Sequence, residues 1–309
     1  MSLMPVLLLL GAVILVNGWT DAPNAIAAPV SSGVLPFPAA VLLAAFCNLM
    51  GVVCTMAISD AVARTLFSIA DFGPQALTAL TAALAATVLW GVLAWRFGIP
   101  TSESHALIAG LMGSALALGV DRLRLGPLLQ VGIGLILSLL LGAALGRLFR
   151  SLLPRHQEGL YRRGQILGAA CTAFLHGAQD GQKFLGVLAL ILTLGAGEFS
   201  LPLSACWACA ALMALGTLLG GRRIIDTVGR KMVRLNPRSG FAAELGCAVT
   251  LALCTLWGLP VSTTHAKSAA IFGAGASPDG KVAGALGAVW LLTFPACGAM
   301  AFVLVKVLL

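Results

Sequence analysis

Apolar residues run along this chain in blocks of about 20, the length a helix needs to cross a ~30 Å hydrocarbon layer. In the first half the blocks cover 3–30, 37–58, 76–95, 100–120 and 127–148. In the second half they cover 166–194, 201–220, 241–257, a block opening at Pro260, and 283–308. Block 3–30 carries the polar stretch Asn17-Gly18-Trp19-Thr20-Asp21-Ala22-Pro23-Asn24. Block 166–194 carries His176-Gly177-Ala178-Gln179-Asp180-Gly181-Gln182-Lys183, displaced by 159 residues. Polar groups and helix breakers inside hydrocarbon are costly, so both stretches predict a broken helix built around a transport site. The fold predicted is an all-α polytopic membrane protein of about 10 to 12 transmembrane segments, with either broken unit counting as one or two.

A second echo is sharper. Gly98-Ile99-Pro100-Thr101-Ser102-Glu103-Ser104-His105 answers Gly258-Leu259-Pro260-Val261-Ser262-Thr263-Thr264-His265 at an offset of 160. Two separate motifs recurring at nearly one offset mean duplication. In each, Pro before a run of hydroxyl residues marks a helix start, with Ser and Thr oxygens available to cap the first N–H groups. The same N–H groups carry the positive end of the helix dipole and suit an anion.

Composition fits this reading. Only 10% of the 309 residues are charged, against about 25% in a soluble domain. The net charge of +8 concentrates in two loops, and with one Tyr and no aromatic–basic interleaving it gives no sign of nucleic-acid binding. The linker carries Arg147, Arg150, Arg155, Arg162 and Arg163, and loop 221–239 carries Arg222, Arg223, Arg230, Lys231, Arg234 and Arg238 against Asp226. The first-half counterpart, 59–73, has Arg64 against Asp60 and Asp71. The positive-inside rule places the linker and second loop in the cytoplasm and the first loop outside. Equivalent loops on opposite sides imply two inverted-topology repeats, 1–146 and 164–309, joined by a basic linker, 147–163. All eight Cys lie in apolar runs, and Cys206-Trp207-Ala208-Cys209 reads as buried packing rather than a redox pair. Residues 1–16 have the apolar run of a secretory signal but no basic residue ahead of it, and read as the first half of a retained helix.

Gly18-x-x-Asp21-x-x-Asn24-Ala25, His176-Gly177-x-x-Asp180-x-Gln182-Lys183-x-x-Gly186 and the paired Pro-x-Ser-x-x-His blocks at 100–105 and 260–265 resemble the inorganic phosphate transporter (PiT) family. The likeness spans almost the whole chain. It implies an inverted-repeat, often dimeric, carrier of phosphate or sulfate, coupled to a cation and needing no cofactor. Two departures stand out: the family has Asn before each Asp where this chain has Thr20 and Gln179, and Glu103 in the first block faces Thr263 in the second.

Asp21 and Asp180 are the expected ligands of Na⁺ or holders of a proton, with Thr20, Gln179 and Glu103 as further coupling-ion candidates; the alternative for the two Asp is a helix-stabilising ion pair. Thr101, Ser102, Ser104, Ser262, Thr263 and Thr264 are expected to receive an oxyanion, or else only to cap helices. Asn24, Gln182 and Lys183 complete the substrate set, with Lys183 either neutralising the anion or pairing Asp180. His105 and His265 read first as packing residues. Glu244, on an otherwise apolar block, caps a neighbouring helix start or takes part in transport, and Lys267 has no partner assigned at this level.

A phosphate symporter of the plasma membrane (the inner membrane in a bacterium), driven by Na⁺ or H⁺, is the leading expectation. A sulfate or other oxyanion permease of the same fold is the alternative. A divalent-cation transporter is a remote alternative, favoured by four carboxylates and two His within the blocks but expected to space its ligands one helical turn apart. An intramembrane aspartyl protease would use Asp21 and Asp180 as a dyad but has no use for twin hydroxyl-rich helix starts. Glu103 favours phosphate over sulfate, because phosphate at neutral pH still carries a proton for it to accept. The topology is testable: a Cys introduced at Ser68 should react with an impermeant thiol reagent from outside, and one at Thr227 only after permeabilisation. Labelling of both from the same side would overturn the inverted repeat.

Overall fold

The computed structural model describes residues 3–99, 101–194, 198–225, 235–275 and 280–309. They form helices in a repeated order. In the first half these are α1 (Leu3–Thr20), α2 (Ala22–Ser31), α3 (Phe37–Ile58), α4 (Ala61–Phe67), α5 (Ala76–Arg96), α6 (Glu103–Leu118) and α7 (Leu125–Leu152). In the second they are α8 (Glu158–Thr193), α9 (Leu203–Leu219), α10 (Arg222–Ile225), α11 (Pro237–Leu256), α12 (Thr263–Ala274) and α13 (Gly280–Leu308). The single long α8 answers α1 and α2 together. Pro100, which opens the fourth block in sequence, and most of the basic loop, including Asp226, Thr227, Arg230, Lys231 and Arg234, lie outside the described residues.

The two polar stretches fold differently. After Asp21 the helix axis is interrupted, because Pro23 offers no N–H and its ring crowds the preceding turn. The Asp21 N–H still reaches the Asn17 carbonyl, and the Asn24 N–H closes a tighter turn on the Asp21 carbonyl (both 2.9 Å). The second stretch is not broken: α8 runs unbroken through His176–Lys183. It contains no Pro, and its glycines serve packing instead. A Cβ on Gly177 would lie 2.1 Å from the Asn48 carbonyl oxygen, and one on Gly51 1.9 Å from that of Phe174. Small residues that let backbones touch are the usual currency of helix association in lipid. Here they press α8 of one half against α3 of the other.

That exchange is general. α9 packs on α1, α7 on α11 and α12, and α13 on α5 and α6. Each half is therefore completed by the other. The equivalent loops lie at opposite ends of α11: Arg238, in its first turn, donates to the Arg150 and Leu153 carbonyls of the linker, whereas Gly258, just past its end, abuts Ala61 of the first loop. This is the disposition that inverted repeats require. Large apolar side chains such as Leu42, Phe46, Ile136 and Leu140 face outward, and charged and amide groups are buried within. The chain is a multi-pass membrane protein turned polar side in.

α6 and α12 are too short to cross the bilayer, at about 24 Å and about 18 Å by a rise of 1.5 Å per residue. Each follows a left-handed glycine, Gly98 and Gly258 (both φ 66°). There the Ile99 and Leu259 N–H groups turn back onto the Ala94 and Cys254 carbonyls (both 2.9 Å), a six-to-one closure of the Schellman type. The chain then runs back alongside the helix it has just left, so that Thr101 accepts a hydrogen bond from the Trp90 indole (2.9 Å). Both helix starts are thereby placed deep inside the bundle.

Candidate functional site

Ser102 and Ser262 are the N-caps of α6 and α12, and their hydroxyls accept from the His105 and His265 N–H groups at 3.3 and 3.1 Å. A Ser at this position satisfies one of the four N–H groups a helix start leaves free. The two starts meet the midpoints of α1–α2 and α8. Thr264 donates to Asp21 Oδ1 (2.7 Å), the Glu103 N–H to Asp21 Oδ2 (3.4 Å), and Thr263 to Asp180 Oδ2 (3.4 Å). Asn24 donates to Thr264 (3.0 Å). Lys183 donates to Asp180 Oδ1 and Ser104 (2.6 Å each) and to the Val261 carbonyl. The repeat-related residues Asn24 and Lys183 thus each reach across to the helix start of the other half.

Asn17 ties the two acids together, donating to Asp21 (3.2 Å) and Asp180 (3.0 Å). One turn before Asp180, His176 approaches it through Nε2 at 3.3 Å without making a hydrogen bond. Asn48 donates to Thr217 (3.1 Å), which leaves its oxygen to accept from His176 Nδ1 (2.9 Å). In the neutral imidazole the bare Nε2 lone pair then faces the carboxylate. Asp21, His176 and Asp180 bring ligand atoms within 4.8 Å of one another. The Asn17 and Asn24 side-chain oxygens, both buried, accept nothing.

Most residues singled out in the sequence converge here, and some do not. Gln179 spends its amide on the turn between α11 and α12, donating to Thr255 and the Leu259 carbonyl and accepting from Val261. Gln182 accepts from the Val62 N–H and so holds the start of α4 rather than facing α6 or α12. Thr20 donates back to the Val16 carbonyl (2.8 Å). The Glu103 carboxyl is turned towards Gly91 of α5 and Val16 of α1, with neither oxygen hydrogen-bonded. His105 and His265 stack edge to face with centroids 4.3 Å apart, against Phe294 and Trp290.

Sequence reasoning gave no role to Asn17, His176 or Asn48. The first two were legible as a repeat-related pair four residues, one helical turn, before each Asp. Asn48 is the lone amide of an otherwise apolar helix. The partner that Glu244 and Lys267 lacked is each other. Lys267 donates to Glu244 and to the Ala25 carbonyl, and Thr172 donates to the other Glu244 oxygen (2.8 Å). Both side chains are fully buried. At the same places in the first half stand Leu84 and Leu107, each 0% exposed.

Paired helix starts, buried carboxylates and amides at mid-depth, and a lipid-facing apolar belt define a membrane transporter rather than an enzyme. A sequence model of the phosphate transporter family matches residues 17–158 and again 152–301. A Rhizobium meliloti (strain 1021) protein called "Probable low-affinity inorganic phosphate transporter" is 38% identical, over 91% of this chain and 88% of that one. A Bacillus subtilis (strain 168) protein of the same name is 32% identical, over 95% and 94%. A solved structure named "The sodium-dependent phosphate transporter" superposes with a TM-score of 0.88 at 21% identity, covering 99% of this chain and 98% of that one, and shares the fold. The chain belongs to the phosphate transporter family.

The buried pair yields a stability prediction. Glu244→Leu alone leaves Lys267 charged and unpartnered, which costs about 3–5 kcal/mol, so its melting temperature in detergent should fall steeply. The double variant E244L/K267L reproduces the first-half arrangement and should recover most of that loss. A double variant no more stable than E244L would show that the position is not interchangeable with its repeat.

Proposed function

We propose that the protein is a secondary carrier of inorganic phosphate, driven by a co-transported cation, either Na⁺ or H⁺. The observation that carries this is the meeting of two hydroxyl-capped helix starts, one from each half, around Asp21 and Asp180. Their N–H and hydroxyl groups are donors suited to a tetrahedral oxyanion. In this arrangement the two carboxylates take those donors.

The charge balance supports coupling to a cation. Asp21, Asp180 and Glu103 are buried beside a single ammonium, Lys183. An anion cannot enter such a place until the excess negative charge is compensated. A cation among Asp21, Asp180, His176 and the free Asn17 and Asn24 oxygens would do this. It would also draw the carboxylates off Thr263, Thr264 and the Glu103 N–H, which then turn to phosphate. The hard oxygen set suits Na⁺, and buried carboxyls can hold a proton instead. The relatives' names support phosphate, and the name of the structural neighbour supports sodium. The repeats, 1–146 and 164–309, would alternate around this point, with the basic linker 147–163 in the cytoplasm and the protein in the plasma membrane.

Asp21→Asn and Asp180→Asn preserve shape and hydrogen bonding while removing charge. In proteoliposomes each should abolish cation-driven uptake of labelled phosphate while the protein remains inserted and folded. Uptake within about two-fold of the parent for both would return these residues to a structural role. Sulfate in excess should compete weakly, and equal competition would favour the general oxyanion permease.

Glu103 offers the test of the ion. Its carboxyl is buried without a partner, and such a charge is costly, so it must be compensated by uptake of a proton or cation. We expect uptake to rise as the outside is acidified and Glu103→Gln to flatten that response, with phosphate affinity less affected than accumulation because the helix starts remain. Uptake that requires Na⁺, ignores a proton gradient and is indifferent to Glu103→Gln would leave sodium as the sole driver.

A further inference from the structure

A groove of about 930 Å³ lies against α7, α12 and the first turn of α11, far from the helix starts. Its walls change character along α7. Leu140, 63% exposed, and Phe272 of α12 form an apolar trough at bilayer depth. Two turns on, about 10 Å along the axis, Arg147, Arg150, Arg155 and Arg238 close the end. Arg150 and Arg238 are fixed in place, donating to the carbonyls of Gly275, Leu153 and Arg150 itself. Among the described residues none of the four pairs with a carboxylate. This end also carries the linker charges that set topology, but topology alone asks only for basic residues, not for a cleft that joins them to an apolar trough.

We propose that this groove is a binding site for one anionic phospholipid, its phosphodiester held by the four arginines and an acyl chain lying along Leu140 and Phe272. Guanidinium forks match phosphate oxygens, and basic pockets between transmembrane helices on the cytoplasmic side suit such headgroups. Free phosphate would use the arginines but gain nothing from the apolar trough. A second copy of the chain packed here about a two-fold axis would set the four arginines against their own images. The lipid has a route to the transport site, since Arg150 holds the Gly275 carbonyl at the end of α12 and the start of α12 bears Ser262, Thr263 and Thr264.

The test uses the full chain in uncharged detergent, following thermal unfolding as phosphatidylglycerol or phosphatidylcholine is added. Phosphatidylglycerol should raise the melting temperature and phosphatidylcholine should not. R147Q/R155Q leaves the anchored Arg150 and Arg238 untouched. It should need about thirty-fold more phosphatidylglycerol for the same shift. If that variant does not fold, R155Q alone carries the test with about a five-fold change. A response equal to the parent's overturns the proposal. So does inorganic phosphate at matched ionic strength abolishing the lipid shift, which would make this a free-anion site. A variant that turns from dimer to monomer while phosphatidylglycerol has no effect on the parent would make it an interface between copies.

Discussion

Uncompensated negative charge in a low-dielectric interior is the constraint on which the rest of this protein depends. Around the two helix starts three buried carboxyl groups face one ammonium, in a bundle whose outer surface is hydrocarbon-facing, and isolated charge there is costly. Every nearby polar group is arranged around that fact. Asn17 spans both acids, Lys183 pairs with one of them, and the helix starts turn their positive ends towards both. The arrangement satisfies most of these groups but not all. Asn17 and Asn24 keep an unused oxygen, His176 an unused nitrogen and Glu103 an unpartnered carboxyl.

The fold makes this possible through helices that begin in the wrong place for a simple span. A helix start at the membrane surface gives its N–H groups to water. The turns at Gly98 and Gly258 carry the chain back inside before α6 and α12 begin, so the N–H groups and their dipoles act where the dielectric is low. Because α7 and α13 pack on the short helices of the opposite half, neither start is positioned by its own repeat alone. Any rocking of one half against the other therefore moves both starts relative to the acids.

Much of this was legible in the sequence, and the reasons are specific. The apolar blocks fixed the helices, and the offsets of 159 and 160 fixed the duplication, because hydrophobic length and repeated motifs are local properties. The failures were of tertiary origin. Gly177 and Gly181 looked like helix breakers because isolated glycines weaken a helix, yet packing against α3 overrides propensity and uses the missing side chains. Pro23, which removes a hydrogen bond outright, was a reliable breaker. Gln179 and Gln182 share Asp180's stretch of α8, but the face on which each amide finds its partner depends on the turns before α12 and α4, which no spacing rule reveals. The Glu244–Lys267 pair joins neighbouring helices, and two lone charges in successive apolar blocks were the available sign of it.

The two repeats differ at the polar positions brought together in the interior. Asn17 stands opposite His176, Asn24 opposite Lys183, Glu103 opposite Thr263, and Leu84 with Leu107 opposite Glu244 with Lys267. Duplication alone would give two equal half-sites, and a symmetric pair of acids would repel one another with nothing to decide which is neutralised. Placing the ammonium with Asp180 gives that acid a counter-charge from within, and among the described residues leaves Asp21 and Glu103 without one. The second buried pair sits against α2 through the Ala25 carbonyl, just beyond the break at Asp21. The two repeats are thus unlike in how their charges are matched: Lys183 meets Asp180 and Lys267 meets Glu244 in the second, whereas in the first Asp21 is met only by hydroxyl, amide and N–H donors.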